Sequence, residues 1–274
     1  MAPITKLVLP VAGLGKRLRP LTNRKPKALV HLADEPLLSY MLHEASASGI
    51  TEVSIVASPQ HERHFRRYIK NYAKGFPTIK NIHLRIQRRP LGDGHAVLQA
   101  HDLLGNDAVA VRFPDDLVLA RKPILKSLMD FYSTHRAPVL LLERVPKRFV
   151  SRYGIAGAVA VRNRSVAKAG RRHLIKMLVE KPPIYEAPSN LAIVGGYIIT
   201  PRMLRGLARK FRTLKNYGND ALRLIVAFQS ELAAGRKVYG LEFSGRRLDC
   251  GTLEGFYRAD KIVREYKLKN EKNI

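Results

Sequence analysis

The sequence has few acidic residues, a single cysteine and no long apolar run. Its 274 residues include 22 Asp and Glu against 49 Lys and Arg, so the formal net charge is +27. The one cysteine, Cys250, excludes an internal disulfide and is typical of a reducing compartment. No apolar run approaches the ~20 residues of a transmembrane helix, and the apolar stretch 4–13 leads directly into glycine and cations. We therefore expect a cytoplasmic protein without a membrane segment, and in residues 4–13 a buried strand rather than a signal peptide.

Tryptophan is absent and aromatic residues make up only 7% of the chain. Few aromatics lie between the basic residues, and no zinc-finger or RNA-binding signature is present, which makes nucleic-acid binding an unlikely function. The cations instead recur in separate clusters, at 63–67, 85–89, 144–152, 162–172 and 202–215. This distribution favours a solvated basic surface that attracts anionic ligands over long range, with nucleic-acid binding kept as an alternative.

Apolar runs typical of strands alternate with amphipathic helical patterns through the first half of the chain. We predict strands at 5–11, 53–57, 82–87, 108–113 and 138–143, with helices at 36–48, 60–72, 94–104 and 122–134. The second half is less regular, with strands at 155–161, 174–179, 192–199 and 238–243 and helices at 219–234 and 252–268. The alternation predicts an α/β fold with a mostly parallel sheet and helices on both faces. Ligands of such sheets bind at the carboxyl ends of the strands.

A glycine-containing turn follows the first predicted strand and is itself followed by cations. The turn reads Ala12-Gly13-Leu14-Gly15, and Lys16-Arg17 comes next. It is neither a dinucleotide fingerprint nor a P-loop, because Leu18 and Pro10 stand where those motifs need glycine. We predict that the backbone of residues 12–15 binds phosphate oxygens, with Arg17 and Lys27 supplying positive charge. The alternative is an ordinary β-turn with solvated charges.

Two carboxylates follow predicted strands at distant points of the chain. Asp115 ends the run Phe113-Pro114-Asp115, and Asp249 lies just before the last predicted helix. Such oxygen ligands suit Mg²⁺, although Asp115 could equally close an Asx turn and Asp249 could cap a helix. Since a cationic phosphate loop is also present, we predict that Asp115 and Asp249 together bind a metal ion.

The motif Gly13-x-Gly15-x-Arg17-x-x-Pro20-x-Thr22, with Pro26-Lys27 after it, resembles the signature of sugar-1-phosphate nucleotidyltransferases. Later stretches are similar to the UTP–glucose-1-phosphate uridylyltransferase branch, and the resemblance spans about residues 5–265. It implies a Rossmann-like mixed sheet in a single domain, 1–274. A nucleotide-binding half at about 1–135 would precede a sugar-binding half at about 136–250 and a terminal helix at about 252–268.

The resemblance also implies roles for particular residues. Gln87 would bind the uracil edge, and Gly92 and Gly94 would allow close approach of base and ribose. Gly154 and Glu180 would hold glucose hydroxyls, and Lys181 would hold the sugar phosphate. Asn190, in the Pro-Ser-Asn-Leu-Ala element, is placed in the same subsite. His95 is interpreted as structural rather than as a general base.

The implied reaction joins UTP and glucose-1-phosphate to give UDP-glucose and pyrophosphate, with Mg²⁺ as cofactor. Two departures from the family pattern are Lys16 in place of threonine and the segment 217–223 in place of Gly-Glu-Ile-Gln-Leu-Thr-Asp. Alternatives remain a thymidylyl- or cytidylyltransferase, another hexose-1-phosphate, and a non-catalytic regulator that binds sugar nucleotides. The family resemblance leaves a homo-oligomer open.

Overall fold

The computed structural model describes residues 3–161, 170–213 and 222–271. Its strands are β1 Lys6–Pro10, β2 His31–Leu32, β3 Glu35–Pro36, β4 Glu52–Ala57, β5 Asn81–Ile86, β6 Val109–Arg112, β7 Asp116–Leu119, β8 Val139–Arg144, β9 Gly154–Ala160, β10 Arg171–Glu180, β11 Leu191–Ile199, β12 Tyr239–Glu242 and β13 Arg246–Asp249. Its α-helices are α1 Leu37–Ala47, α2 Glu62–Tyr72, α3 Asp93–Leu98, α4 His101–Leu104, α5 Ile124–His135, α6 Pro201–Thr213, α7 Ile225–Ala233 and α8 Leu253–Glu271. Within the described residues, no helix combines the length and apolar character needed to cross a membrane.

A single large sheet runs through both predicted halves of the chain, in the order β5-β4-β1-β6-β11-β8-β12-β10-β9. The strands of the first half, β5, β4, β1 and β6, are parallel to one another, and β12 is parallel to β8. The other pairs, all made by β11, β9 or β10, are antiparallel. The predicted α/β fold with a mixed sheet is confirmed. Of the eight neighbouring pairs in the described sheet four are parallel and four antiparallel, so the sheet is less parallel than predicted. The organisation of the chain as one domain stays a prediction, which the shared sheet supports.

Strand β1 is apolar along its length because both faces of the sheet are covered. Leu7 and Leu9 point into one hydrophobic core and Val8 points into the other, and each is at most 1% exposed. Helices α1, α5 and α8 contribute to the first core, and α3, α6 and α7 to the second. The carboxyl end of β1 is thereby fixed between two packed layers, and the glycine turn leaves from this end.

The structure differs from the predicted elements at several places, including the short ribbon of β2 and β3, which was not predicted. The helix predicted at 94–104 is two short helices, α3 and α4, and helix α6 was not predicted. The helix predicted at 219–234 begins only at Ile225, and residues 219–221 lie outside the described part. The antiparallel ribbon of β7 and β13 was also missed. Helix α6 does carry an apolar side, formed by Met203, Leu204 and Leu207, but its many arginines were read only as a charge cluster.

Candidate active site

The turn after β1 is held in shape by contacts on its inner side. Gly15 adopts a left-handed conformation, with φ of 63°. The Thr22 hydroxyl donates a hydrogen bond of 2.9 Å to the Gly15 carbonyl oxygen. A Cβ on Gly15 would lie 3.0 Å from the Thr22 methyl carbon and 3.1 Å from Lys27 Cβ, so this position has both the conformation and the crowding that favour glycine. Gly13 has open space around it, which leaves its backbone accessible to a ligand.

Two cavities of about 340 Å³ and 320 Å³ adjoin each other at the carboxyl ends of the parallel strands. The lining of the first cavity includes Ala12, Gly13, Lys27, Gln87 and Gly92. The lining of the second includes Arg17, Gly154, Glu180, Lys181 and Asp249. Both are lined by Asp93, Phe113 and Asp115, so these residues form a shared wall. Of the predicted turn residues, Leu14 is instead 44% exposed and Gly15 packs inward against Thr22.

The β7–β13 ribbon brings together the two carboxylates that the sequence separates by more than a hundred positions. Asp249 pairs with Asp116 in the ribbon, and the Cys250 N–H donates a 2.8 Å hydrogen bond to the Asp115 carbonyl oxygen. A Cβ placed on Gly251 would lie 2.8 Å from Asp249 Oδ1, 3.4 Å from Asp115 Oδ2 and 3.5 Å from Arg17 Nη2. Asp115, Asp249 and Arg17 therefore surround one small volume, as the sequence predicts for a metal and phosphate site.

Lys27 forms an ion pair with Asp115 at the shared wall. Burial disfavours the charged form of Asp115, but the Lys27 ammonium beside it outweighs burial and lowers the pKa of the carboxyl. Asp115 is consequently a carboxylate at neutral pH. Within the described residues, no cluster of three or more His, Cys, Asp or Glu side chains could hold a metal alone. Two carboxylates do fit an ion that completes its coordination with water and substrate phosphates, as Mg²⁺ commonly does.

The side-chain amide of Gln87 is oriented by the protein. Its Nε2 donates a 2.9 Å hydrogen bond to the Gly92 carbonyl oxygen and lies 2.9 Å from His95 Nδ1. A carbonyl oxygen can only accept, so the amide NH₂ group faces Gly92 and the Gln87 oxygen is the group left for a ligand. The contact of Gln87 with the uracil edge stays a prediction, and this orientation allows the Gln87 side chain only to accept a hydrogen bond from the base. His95 is 7% exposed and packs on Phe211, which agrees with a structural role.

Gly92 and Gly94 make room for the protein backbone as well as for the cavity. A Cβ on Gly92 would lie 2.5 Å from the Leu222 carbonyl oxygen, and one on Gly94 would lie 2.8 Å from the same atom. The Gly94 N–H donates a 2.9 Å hydrogen bond to that oxygen. The predicted role of Gly94 at base and ribose is therefore corrected to a backbone contact. Gly92 also lines the first cavity, so its contact with a nucleotide stays a prediction.

Gly154, Glu180 and Lys181 meet in the second cavity, as predicted. A Cβ on Gly154 would lie 3.2 Å from Glu180 Oε2, and Lys181 Nζ is 4.0 Å from Glu180 Oε1. Lys181 has a φ of 47°, a left-handed conformation that is unfavourable for a non-glycine residue, and its N–H donates to the Tyr153 carbonyl oxygen. Such strain is concentrated at binding sites, and here it fixes the direction in which the lysine leaves the strand.

Asn190 does not take part in this cluster. Its Nδ2 donates a 3.1 Å hydrogen bond to the Val145 carbonyl oxygen, and its Oδ1 accepts one of 3.1 Å from Arg144 Nη1. These contacts tie the start of β11 to the end of β8. The prediction that Asn190 binds the sugar phosphate is wrong, because its amide groups are used to join two strands.

Sequence reasoning missed a buried arginine behind the second cavity. Arg247 is 8% exposed at its side chain and contacts three carboxylates, with 2.6 Å from Nε to Asp116 Oδ1, 3.0 Å from Nη1 to Glu143 Oε2 and 3.7 Å from Nη2 to Asp249 Oδ2. Burial disfavours the charge of Arg247, but Asp116 outweighs burial and raises the pKa of the guanidinium above its usual range. The Tyr153 ring stacks on the guanidinium at 5.2 Å. The sequence features that could have indicated this ion-pair cluster are the adjacent Asp115-Asp116 pair and the position of Arg247 two residues before Asp249.

The comparisons with known proteins agree with this arrangement. A family model described as "Nucleotidyl transferase" matches residues 6–265. The UTP–glucose-1-phosphate uridylyltransferase of Bacillus subtilis is 33% identical over 273 residues, covering 93% of this chain and 89% of that protein. The enzyme of the same name from Staphylococcus haemolyticus is 33% identical over 290 residues, covering 99% of this chain and 95% of that protein.

Solved structures of similar proteins share the fold over nearly the whole chain. A UDP-glucose pyrophosphorylase complexed with UDP-glucose superposes with a TM-score of 0.84 at 28% identity, covering 96% of this chain and 99% of that one. A UTP-bound UGPase from Acinetobacter baumannii gives a TM-score of 0.78 at 27% identity, covering 95% of this chain and 93% of that one. The resemblance inferred from the motifs is confirmed, and the chain belongs to the nucleotidyl transferase family, among the relatives named UTP–glucose-1-phosphate uridylyltransferase.

Proposed function

We propose that this protein transfers the uridylyl group of UTP to glucose-1-phosphate, giving UDP-glucose and pyrophosphate, with Mg²⁺ as cofactor. The observation that carries the proposal is the shared wall, because one carboxylate, Asp115, borders both cavities. The first cavity offers the glycine turn and Gln87 to a nucleotide, and the second offers Glu180 and Lys181 to a sugar phosphate. The names of the 33% identical relatives support the same substrates.

The reaction needs positioning and charge neutralisation rather than a protein nucleophile. A phosphate oxygen of glucose-1-phosphate attacks the α-phosphorus of UTP and forms a new P–O bond. The bond from the α-phosphorus to the oxygen that bridges to the β-phosphorus breaks, and its electron pair leaves with pyrophosphate. Lys27 lines the first cavity and Arg17 the second, with Asp115 bordering both, and there the two cations would bind the phosphate oxygens as charge moves toward the leaving group.

Asp115 and Asp249 would hold the magnesium ion, since their oxygens face the same volume beside Arg17. When bound, the ion supplies charge neutralisation and polarisation at the α-phosphoryl group. Cys250, which follows Asp249 directly in the chain, is buried, and burial raises the pKa of its thiol well above the usual range. An inert, reduced cysteine at this position supports our proposal of a cytoplasmic location.

The orientation of Gln87 favours particular bases. Uracil carries an N3–H donor, which the free Gln87 oxygen would accept, whereas cytosine has an unprotonated N3 acceptor at that position. We therefore propose that UTP is preferred over CTP at the first cavity. Thymine shares the N3–H group with uracil, so dTTP is the informative competitor.

The decisive experiment is a pyrophosphate-release assay with UTP, CTP, ATP, GTP and dTTP, each with Mg²⁺ and a panel of sugar-1-phosphates. We expect UTP with glucose-1-phosphate to give the highest kcat/KM. Release with another pair only would reassign the substrate. Tight UTP binding without turnover on any sugar phosphate would instead support a non-catalytic regulator.

Two variants test the proposed roles at the shared wall. Lys27→Ala is expected to reduce kcat by orders of magnitude, and Asp115→Asn to abolish Mg²⁺-dependent turnover, because both remove charge from the site of transfer. The matched control is Lys122→Ala, which removes an exposed Lys–Asp ion pair with Asp130 on α5 and should leave turnover unchanged. Wild-type rates in Lys27→Ala or Asp115→Asn would remove that residue from the mechanism.

A further inference from the structure

One cation of the second cavity comes from a segment that departs from the family pattern resembled by the rest of the chain. Arg223 comes from the segment 217–223, where the chain departs from the Gly-Glu-Ile-Gln-Leu-Thr-Asp run of its relatives. It lines the second cavity with its side chain 44% exposed, and its Nη1 forms an ion pair with Glu180 Oε1. The arginine therefore contacts the very carboxylate that the proposed function assigns to the sugar.

The backbone on both sides of Arg223 is anchored to the loop ahead of α3. The Leu222 N–H donates a 2.8 Å hydrogen bond to the Leu91 carbonyl oxygen. The Leu224 N–H donates one of 2.7 Å to Asp93 Oδ1. Asp93 Oδ1 also accepts a 2.8 Å hydrogen bond from the Gly94 N–H, so the Asp93 carboxylate connects the start of α3 to the segment that carries Arg223. Because its neighbours are fixed, Arg223 points into the cavity from a constrained backbone rather than from a free loop.

The ion pair leaves Glu180 with two unequal oxygens. Oε1 is occupied by Arg223 and has Lys181 Nζ 4.0 Å away. Oε2 lies beside Gly154, where a Cβ would be 3.2 Å from this oxygen and 3.1 Å from the Ile193 and Ile225 Cδ1 atoms, so the absence of a side chain at Gly154 keeps this place open. A carboxylate held by a guanidinium keeps its rotamer, and its remaining oxygen then accepts from a hydroxyl at one defined position. A free glutamate would turn to accept from hydroxyls at several positions.

We infer that Arg223 is a positioning residue that sets sugar specificity, by holding Glu180 so that Oε2 alone reads the stereochemistry of the hexose-1-phosphate. This inference rests on the proposed function. This chain lacks the family's polar run at 217–223, and Arg223 of the altered segment orients the sugar-binding carboxylate instead. The nucleotide cavity is not affected, because Arg223 borders only the second cavity.

The test compares wild type with Arg223→Ala and Arg223→Lys. In Arg223→Ala we expect the KM for glucose-1-phosphate to rise about 10- to 100-fold, the loss that corresponds to one charged hydrogen bond. The KM for UTP should stay within about twofold, and the preference for glucose-1-phosphate over galactose-1-phosphate, as a ratio of kcat/KM, should fall. Arg223→Lys should restore part of the affinity, because lysine keeps a positive charge beside Glu180. The control Arg258→Ala, which removes an exposed Arg–Glu pair on α8, should change none of these values.

A double-mutant cycle separates positioning from general damage to the fold. In a Glu180→Gln background, Arg223→Ala should have little further effect on the KM for glucose-1-phosphate, since the partner it holds is already changed. Equal rises in both KM values, no rescue by lysine, or independent effects in the cycle would overturn the inference.

The affinities of UDP-glucose and UTP, measured by calorimetry, keep the test independent of turnover. Weaker UDP-glucose binding with unchanged UTP binding in Arg223→Ala supports the inference even if wild type is inactive, in which case only the proposed function fails. Equal UDP-glucose affinity in wild type and Arg223→Ala overturns the inference while leaving the proposed function intact.

Discussion

Replacement of Arg247 by methionine should strongly destabilise the protein, because it leaves two partly buried carboxylates, Asp116 and Glu143, without their cationic partner. Methionine keeps much of the volume of the arginine stem, so the main loss is charge. Asp116 and Glu143 each lie within 3.0 Å of the guanidinium, whose side chain is 8% exposed. Removing one partner of a buried ion pair costs about 3–5 kcal/mol. For a chain of this size each kcal/mol corresponds to roughly 2–4 °C, so we expect the Tm to fall by roughly 6–20 °C.

The expected loss depends on pH in a defined direction. Burial raises the pKa of both Asp116 and Glu143 even with Arg247 in place, and loss of the guanidinium raises them further. A carboxyl whose folded pKa exceeds its unfolded value, about 4, binds more protons in the folded state between those two values. Its contribution to stability therefore declines as the pH rises through this window. The variant should show its largest deficit near neutral pH, and the deficit should shrink as the pH falls toward 4.

Thermal unfolding of wild type and Arg247→Met between about pH 4 and 8 checks both statements. The matched control is Arg66→Met, which breaks an exposed Arg–Glu pair on α2 and should change the Tm only slightly. Pyrophosphate release should also fall in Arg247→Met, since Asp249 loses a neighbour 3.7 Å away. A Tm within about 2 °C of wild type at neutral pH would refute the reasoning, because the buried carboxylates would then have found other compensation.

Three further changes test separate features of the structure. Gly92→Ala places a Cβ 2.5 Å from the Leu222 carbonyl oxygen at a φ of 99°, and should cost about 2 kcal/mol or more in urea unfolding; wild-type stability would contradict the observed contact. Asn190→Ala should lower stability by about 1 kcal/mol while leaving the KM for glucose-1-phosphate unchanged, and a raised KM would restore the residue to the sugar site. In Asp260 burial opposes ionisation, but the hydrogen bond from Arg264 outweighs burial and lowers the pKa of the carboxyl. Asp260→Asn should therefore be destabilising at neutral pH, and its deficit relative to wild type should shrink as the pH falls below about 4. Urea unfolding of both proteins at several pH values measures this deficit, and a deficit that does not change with pH would contradict the reasoning.

The sequence predicted the elements whose burial is regular. The strand in residues 5–11 is covered on both faces, and its unbroken apolar run is the direct consequence of that covering. The strands predicted at 155–161 and 174–179 are also observed, as β9 and β10, and they pair with each other. Short elements were missed, because four residues such as Asp116–Leu119 carry too little periodicity to be recognised apart from their partner strand.

Site residues could be predicted where the residue type and its position in the chain are enough to suggest a role. They were missed or wrongly assigned where the role depends on residues distant in sequence. Asp115 and Asp249 stand beside strand ends, and a carboxylate there is visible without knowledge of its neighbour. The role of Asn190 depends on which distant carbonyl lies within reach of its amide, and Val145 is 45 positions away. Arg247 was missed for the same reason, since three carboxylates from separate strands define its function and the sequence shows it as one more cation in a basic chain.

Among the described residues, few of the Lys and Arg side chains line the two cavities, although the full chain has a net charge of +27. Lys27 is paired with Asp115, Arg223 with Glu180, and Arg247 with several carboxylates. Each cation is thereby held in place before an anionic ligand arrives, so binding requires little reorganisation of these side chains. The larger number of exposed cations elsewhere acts at longer range, where their field raises the encounter rate of phosphorylated ligands and weakens with salt. Long-range attraction thus comes mainly from cations outside the cavities, whereas orientation of the ligand comes from the cavity cations that are held by carboxylates of the site.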